Sequence, residues 1–317
     1  MSYSGTPRQI SSFSHSAKKT SLKLFILPLW LFLIFVSCKT IKPAMEVQET
    51  VPIPEPSTLT IGGNIAEQQK ILLVLARAYP EKISGLEYHN DDWTMLVNGS
   101  RFYYAHGRFL PEALREQWAD YPPYDFYTYP WTGTARQRKA AYDNPVYSVG
   151  SSFLFDTLYD SLTEDASWDW QEKYSFLGVK ILIHPYIKPM LDRVSDQIRT
   201  AAQTDPSVNK WIADLQTSPP GGWNWRSILG TNRRSNHSYG TAVDLLPKDL
   251  KGRSTYWRFG ADNSIINSEK YYIPPEAVIR AFEDNGFIWG GKWDLVDTMH
   301  FEYRPEILLL NGFEIKR

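Results

Sequence analysis

With one cysteine, Cys38, among 317 residues, the chain cannot form an intrachain disulfide or a cysteine-based metal cluster. Charge of one sign is also missing. Lys and Arg number 34 against 35 Asp and Glu, a formal net charge of -1, and 43% of residues are apolar. That balance removes nucleic-acid binding and wholesale disorder from the candidate classes. No apolar run reaches the roughly 20 residues needed to span a bilayer; the run from Leu24 to Val36 falls short. There is no His-Glu-x-x-His helix, no Gly-x-Ser-x-Gly elbow and no repeat at solenoid periods. A chain of this length holds one large domain or two smaller ones. Aromatic residues, at 15% with 12 Trp and 19 Tyr, are abundant enough for a large core and for sugar-stacking surfaces.

Lys18, Lys19 and Lys23 precede the apolar run, which ends at Ser37 and Cys38. A charged region, an apolar region of export length and a small residue before the cut resemble a bacterial lipoprotein signal. The box Phe35-Val36-Ser37-Cys38 departs from the usual pattern only in lacking Leu at its first position. The expectation is that residues 1–37 are removed and Cys38 is lipidated. The mature protein is then an exported lipoprotein, held to a membrane by a lipid anchor and facing the cell wall or periplasm. Residues 38–63, with Pro43, Pro52, Pro54 and Pro56 and no periodicity, read as an extended tether.

Order is expected from Asn64, an N-cap with Glu67 at the third helical position. Ile71, Leu72, Leu75 and Ala78 share one helical face until Pro80. From Leu86 to Pro145 aromatic and turn residues dominate: Trp93, Phe102, Tyr103, Tyr104, Phe109, Trp118 and Tyr121 to Tyr127. Short strands and loops fit this text, and the rings either stack on wall sugars or pack on a core, the second favoured because large exposed apolar patches are uncommon. Lys180 to His184 reads as a buried strand, followed by a helix bearing Ile187, Met190, Leu191, Val194 and Ile198, with Pro189 near its start. Pro219-Pro220-Gly221-Gly222 reads as a hinge-like break. Val278, Ile279 and Phe282 mark a helix over Pro275 to Asn285 that stops at Gly286, and a strand from Phe287 leads to a Gly290-Gly291 turn. The division expected is an aromatic-rich extension over 64–170 and a catalytic domain over 171–317.

The stretch Ser235-Asn236-His237-Ser238-Tyr239-Gly240-Thr241-Ala242-Val243-Asp244 carries the chemistry. An imidazole in a turn and a carboxylate on the strand after it can converge on one ion. Catalytic zinc takes three protein ligands and leaves a position for water, so a third ligand is needed, and His300 in Asp297-Thr298-Met299-His300-Phe301-Glu302-Tyr303 is the candidate. These two stretches resemble the zinc-binding signatures of the peptidoglycan peptidases that include D-alanyl-D-alanine carboxypeptidases and dipeptidases and L-alanyl-D-glutamate endopeptidases, relatives of lysostaphin and of the hedgehog signalling domain. The likeness covers roughly Gly221 to Pro305. It implies Zn²⁺ held by His237, Asp244 and His300, a general base at Asp297, and peptidoglycan stem peptides as partners. It also implies an α+β fold in which a small antiparallel sheet bears the zinc site, flanked by helices, with the aromatic-rich extension at its N-terminal side. The vancomycin-resistance branch has Glu-x-x-Trp-His where this chain has Asp-x-x-Met-His, closer to the endopeptidase branch, and the scissile bond stays open.

Asp294 and Glu302 are rivals for the base. If Phe301 and Tyr303 share one face of a strand, His300 and Glu302 share the other, so Glu302 reaches the metal or orients a ligand. An oxyanion needs a cation: among Arg226, Arg233 and Arg234, Arg233 is placed first and Arg226 second. Ser235 buttresses the turn or, with Tyr239, lines the substrate pocket. His89, His106 and His184 lack ligand spacing, and His15 lies in the leader. A competing class is a non-catalytic wall-binding lipoprotein whose metal site is structural. Palmitate labelling of the protein in its host is expected to disappear in Cys38→Ala; labelling that persists removes the lipid anchor.

Overall fold

A computed structural model describes residues 65–316, except 125, 144, 146–150, 218–220, 229–230, 232 and 260–265. The leader, Cys38, the tether, the Asn64 cap and the Pro219-Pro220 pair lie outside the described residues. Helix α1 (Ile65–Ala78) buries Ile71, Leu72, Val74, Leu75 and Ala78 and stops two residues before Pro80. Proline disfavours helical backbone at the residue before it, so the end is set locally.

Four short strands follow as an antiparallel meander: β1 (Ile83–His89), β2 (Asp92–Val97), β3 (Ser100–Ala105) and β4 (Arg108–Pro111). Each connection has two residues, and all six have positive φ: Asn90 and Asp91, Asn98 and Gly99, His106 and Gly107. Two-residue hairpins favour this backbone because its twist matches that of paired strands, and Asn, Asp and Gly adopt it most readily. A 3₁₀ segment over Glu112–Asp120 leads to short helices α2 (Ala135–Asp143), α3 (Phe153–Leu158) and α4 (Glu164–Asp169), the last capped by the Thr163 hydroxyl.

A hairpin, β5 (Glu172–Phe176) with β6 (Val179–Ile183), turns at Leu177 and Gly178. The buried strand expected at Lys180 to His184 is present as β6 with one face buried: Ile181 and Ile183 are buried and Lys180 is exposed, as a two-stranded hairpin with one covered face requires. Helix α5 (Lys188–Ala202) has Pro189 in its first turn and buries Leu191, Val194 and Ile198. Helix α6 (Pro206–Asp214) is capped by Asp205.

The sheet that carries the site has the order β7-β8-β10-β9 and is antiparallel throughout. Its strands are β7 (Leu215–Thr217), β8 (Ala242–Pro247), β9 (Phe287–Trp289) and β10 (His300–Tyr303). Helix α7 (Glu276–Glu283) precedes β9 and covers one face, where Phe282 stacks on Phe301 with ring centroids 4.0 Å apart. Helix α8 (Pro305–Leu310) closes the chain against α1. The fold is α+β. One continuous apolar cluster runs from Ile71 and Phe102 through Leu191 to Phe301. Phe102, Tyr104, Phe109 and Tyr124 of the N-terminal segment belong to that core and Tyr103 is buried as well, whereas Tyr88, Trp118, Trp168 and Trp170 are exposed.

Gly240 illustrates how tightly the site is seated. Its φ is +69°, and an added Cβ would stand 2.7 Å from the backbone nitrogen of His184. Gly240→Ala combines left-handed strain with a backbone clash, costing about 2–3 kcal/mol. Thermal unfolding should shift down by about 5–10 °C; an unchanged midpoint would mean that the turn relaxes freely.

Candidate metal centre

A cross-strand pair forms the base of the site. Asp244 on β8 lies directly opposite His300 on β10, with Val243 opposite Phe301 and Ala242 opposite Glu302. Alternation along β10 sends Phe301 into the core and leaves His300 and Glu302 on the other face. His237 comes from a 3₁₀ turn over Asn236–Tyr239, capped by the Ser235 hydroxyl, which accepts from the His237 N–H, and closed by left-handed Gly240.

These elements bring three side-chain atoms together. His237 Nε2 lies 3.1 Å from His300 Nδ1 and 3.2 Å from Asp244 Oδ1, and His300 Nδ1 is 3.0 Å from the same oxygen. The outer nitrogens settle the tautomers. His237 Nδ1 sits 2.6 Å from the Gly222 carbonyl, which only accepts, so Nδ1 carries the proton. His300 Nε2 is 3.1 Å from Glu302 Oε2 and donates to it. With both imidazoles neutral, the inner nitrogens therefore present lone pairs to a carboxylate oxygen, and no proton lies among the three atoms. Such a triangle is repulsive unless a positive charge occupies its centre. In a tetrahedral site with bonds of about 2.0–2.1 Å, ligand atoms stand about 3.3 Å apart, so the residues fit a divalent ion in size and donor chemistry. Without a metal a proton takes that role: burial opposes charge on His300, yet Asp244 and Glu302 push it up to about 10. Burial likewise opposes charge on Asp244, but His237 and His300 hold it well below the usual carboxylate range.

Among the three acidic rivals, Glu302 is committed to orientation: Oε2 accepts from His300 and, at 2.6 Å, from the Asn236 amide. The carboxylate of Asp294 accepts from the Leu295 N–H and caps its own loop. Asp297 lies in the loop before β10, and its Oδ1 is buried without a hydrogen-bond partner. Burial first, and the nearby Asp244 charge second, push Asp297 up to about 7. It is the acidic group beside the triangle with an oxygen free for chemistry.

The arginines separate too. Arg226 is exposed, its charge acts on Asp297, and its backbone is tied to the Ser238 hydroxyl of the metal turn. Arg233, placed first on sequence, acts on Tyr124 and Tyr127 of the N-terminal segment. Arg234 bonds Asp156 and lies 4.1 Å from the Trp225 ring centroid. Tyr239 is 1% exposed and donates to Asp156 Oδ1 at 2.8 Å. Ser235 is buried as the turn's cap, the buttressing half of its expected role. His184 caps the turn after β6 by accepting from the Tyr186 N–H, and His106 stacks on Trp118.

Gly221 and Gly222 are not a hinge. Both are buried; a Cβ on Gly222 would stand 2.1 Å from the Leu182 carbonyl oxygen, and the Gly221 carbonyl accepts from the Asp244 N–H. Only a residue without a side chain brings the carbonyl of position 222 to His237. Sequence reasoning missed this acceptor and the Asn236 to Glu302 bond. The spacing of Asn236 and Glu302 next to two ligands was the available signal.

Residues 229–303 match the family described as D-alanyl-D-alanine carboxypeptidase, a span that contains His237, Asp244, Asp297 and His300 but covers less than half of the chain. This supports a peptidase over those residues. Residues 71–126 match a domain of unknown function. No curated protein and no solved structure gives a significant match.

Chelator-treated protein is expected to take up one equivalent of Zn²⁺, with stability raised by about 2.7 kcal/mol at a free concentration one hundred times Kd. His300→Ala should abolish the thermal shift; a shift of unchanged size would place the ion elsewhere.

Proposed function

We propose that the protein is a zinc-dependent peptidase that hydrolyses an amide bond in peptidoglycan stem peptides, of the D-alanyl-D-alanine carboxypeptidase or L-alanyl-D-glutamate endopeptidase kind. The observation that carries this reading is the triangle of two imidazole nitrogens and one carboxylate oxygen beside Asp297, whose Oδ1 has no hydrogen-bond partner. The family match over residues 229–303 supports it. His237, Asp244 and His300 would hold the ion, which supplies a Lewis acid able to polarise an amide carbonyl and to bring the pKa of a coordinated water to about 7.

The chain's own residues complete the reaction. Asp297 takes a proton from the attacking water as the carbon–oxygen bond forms, and returns it to the nitrogen as the carbon–nitrogen bond breaks. Arg226 offsets the negative charge that gathers on the carbonyl oxygen, ahead of Arg233 in this role. Glu302 and the Gly222 carbonyl keep both imidazoles in the ligating tautomer. A purely structural site in a wall-binding protein would leave the unbonded Oδ1 of Asp297 without a task, and Phe102, Tyr103, Tyr104 and Phe109 of the 64–170 segment are buried where they cannot stack on sugars. The lipid anchor at Cys38 and the 38–63 tether would hold the enzyme within reach of the wall.

Asp297→Asn should retain zinc while kcat falls by about 10²–10⁴ on defined muropeptides read by mass. In the wild type, Asp297 must be ionised to act, so kcat/KM should fall about tenfold per unit as pH drops below this carboxyl's pKa. That limb lies at or below about 7, because an adjacent dication lowers it. Full turnover in Asp297→Asn would move the base elsewhere; no product from any muropeptide, with zinc bound, would leave the structural-site reading.

A further inference from the structure

Arg304 is the largest fully buried side chain, with 0% exposure, and the hydrolytic reaction as described does not use it. It follows β10 and lies between two carboxylates. On one side its Nε donates to Glu306 Oε1, and its Nη2 donates to the Tyr124 hydroxyl at 3.1 Å. Glu306 in turn accepts from the Tyr79 hydroxyl at 2.6 Å and from Tyr124 at 3.4 Å. On the other side Arg304 Nη1, which makes no hydrogen bond, stands 3.5 Å from Glu302 Oε1. The two oxygens of Glu302 are thus divided: Oε2 serves His300 and Asn236, and Oε1 faces Arg304.

Burying an arginine costs several kcal/mol of desolvation, and well-packed apolar replacements for buried ion pairs are often as stable or more so. Stability alone therefore gives weak grounds for this network. What distinguishes it is its direction: an unbroken series of contacts from Tyr79 and Tyr124 through Glu306, Arg304 and Glu302 to a nitrogen of His300. Tyr79 directly follows the first helix and Tyr124 follows the meander, both within residues 71–126, the match to the domain of unknown function.

We propose that residues 71–126 act as a clamp on the metal centre, with Arg304 a positioning residue that fixes the Glu302 carboxylate and thereby the tautomer and aim of His300. The clamp rests on the metal site of the proposed function. Its strength lies in the planar guanidinium fork, which engages Glu306, Tyr124 and Glu302 from fixed angles; a lysine ammonium cannot reproduce that.

The test is zinc affinity of the purified chain, by competition with a chromogenic chelator, with folding followed by near-ultraviolet circular dichroism. Arg304→Lys and the double variant Tyr79→Phe with Tyr124→Phe should each weaken zinc about tenfold or more, the range for groups that orient ligands, while near-ultraviolet spectra persist. In a Glu302→Gln background the Arg304→Lys loss should vanish, because the two act through one link. Tyr272→Phe, which removes a buried hydroxyl bonded to Trp211, should leave affinity unchanged. Unchanged zinc binding in the clamp variants, losses that add to that of Glu302→Gln, or an equal loss in Tyr272→Phe would overturn the clamp alone. Should Arg304→Lys fail to fold, the tyrosine pair decides. A wild type that binds no zinc overturns the clamp and the hydrolytic reading together.

Discussion

Three electron pairs that aim at one another when both imidazoles are neutral are the constraint on which the rest of this structure depends. Left alone, His237 Nε2, His300 Nδ1 and Asp244 Oδ1 would separate, since each of their 3.0–3.2 Å contacts sets acceptor against acceptor. The fold holds them in place by fixing the other end of each imidazole. The Gly222 carbonyl claims the proton of one and Glu302 that of the other. Their acceptors thus do as much to define the site as the ligands.

The sequence made one face of β10 legible for a geometric reason. Alternation with a period of two puts His300 and Glu302 on one face once Phe301 is assigned to the core, while the residues of the triangle were named by motif and resemblance and the register of Asp244 with His300 came with the strands. The seven-residue gap from His237 to Asp244 is one capped turn and the first residues of a strand. The α1 helix, the α5 helix with its early proline and the Gly286 stop were equally local, and each was readable. What was hidden depends on partners far apart in the chain. Nothing near Gly222 announces that its carbonyl meets His237, and the Pro-Pro-Gly-Gly text points as readily to a hinge as to a buried strap. The partner of the Tyr239 hydroxyl was hidden in the same way, because Asp156 lies 83 residues earlier.

The N-terminal segment was legible in its strands and not in its purpose. Asn98-Gly99 is a strong hairpin signal, and the other two turns use residues that tolerate positive φ. Aromatic content alone could not separate stacking surfaces from core, because the distinction is one of burial. Tyr79 and Tyr303 meet edge to face at 6.1 Å, and Phe109 contacts both Tyr124 and Phe126. The segment therefore shares its interior with the sheet that carries the ligands. Large rings in one close-packed interior transmit displacement poorly absorbed elsewhere.

The acidity of Asp297 ties these elements to one another. It is buried near the Asp244 carboxylate, and those two conditions hold its proton to about pH 7. At neutral pH a carboxyl in that state is ionised in only part of the molecules, and only that part can accept a proton. Adding a dication at the triangle reverses the sign of the local field and lowers the pKa. The same ion that would activate water would also ready the group that receives its proton. Exposure would have given Asp297 an ordinary carboxylate pKa at the cost of solvent screening, and a tight hydrogen-bond partner would have occupied Oδ1. Burial with Oδ1 unbonded keeps the group sensitive to the charge beside it, which is why that orphaned oxygen is better explained by chemistry than by packing.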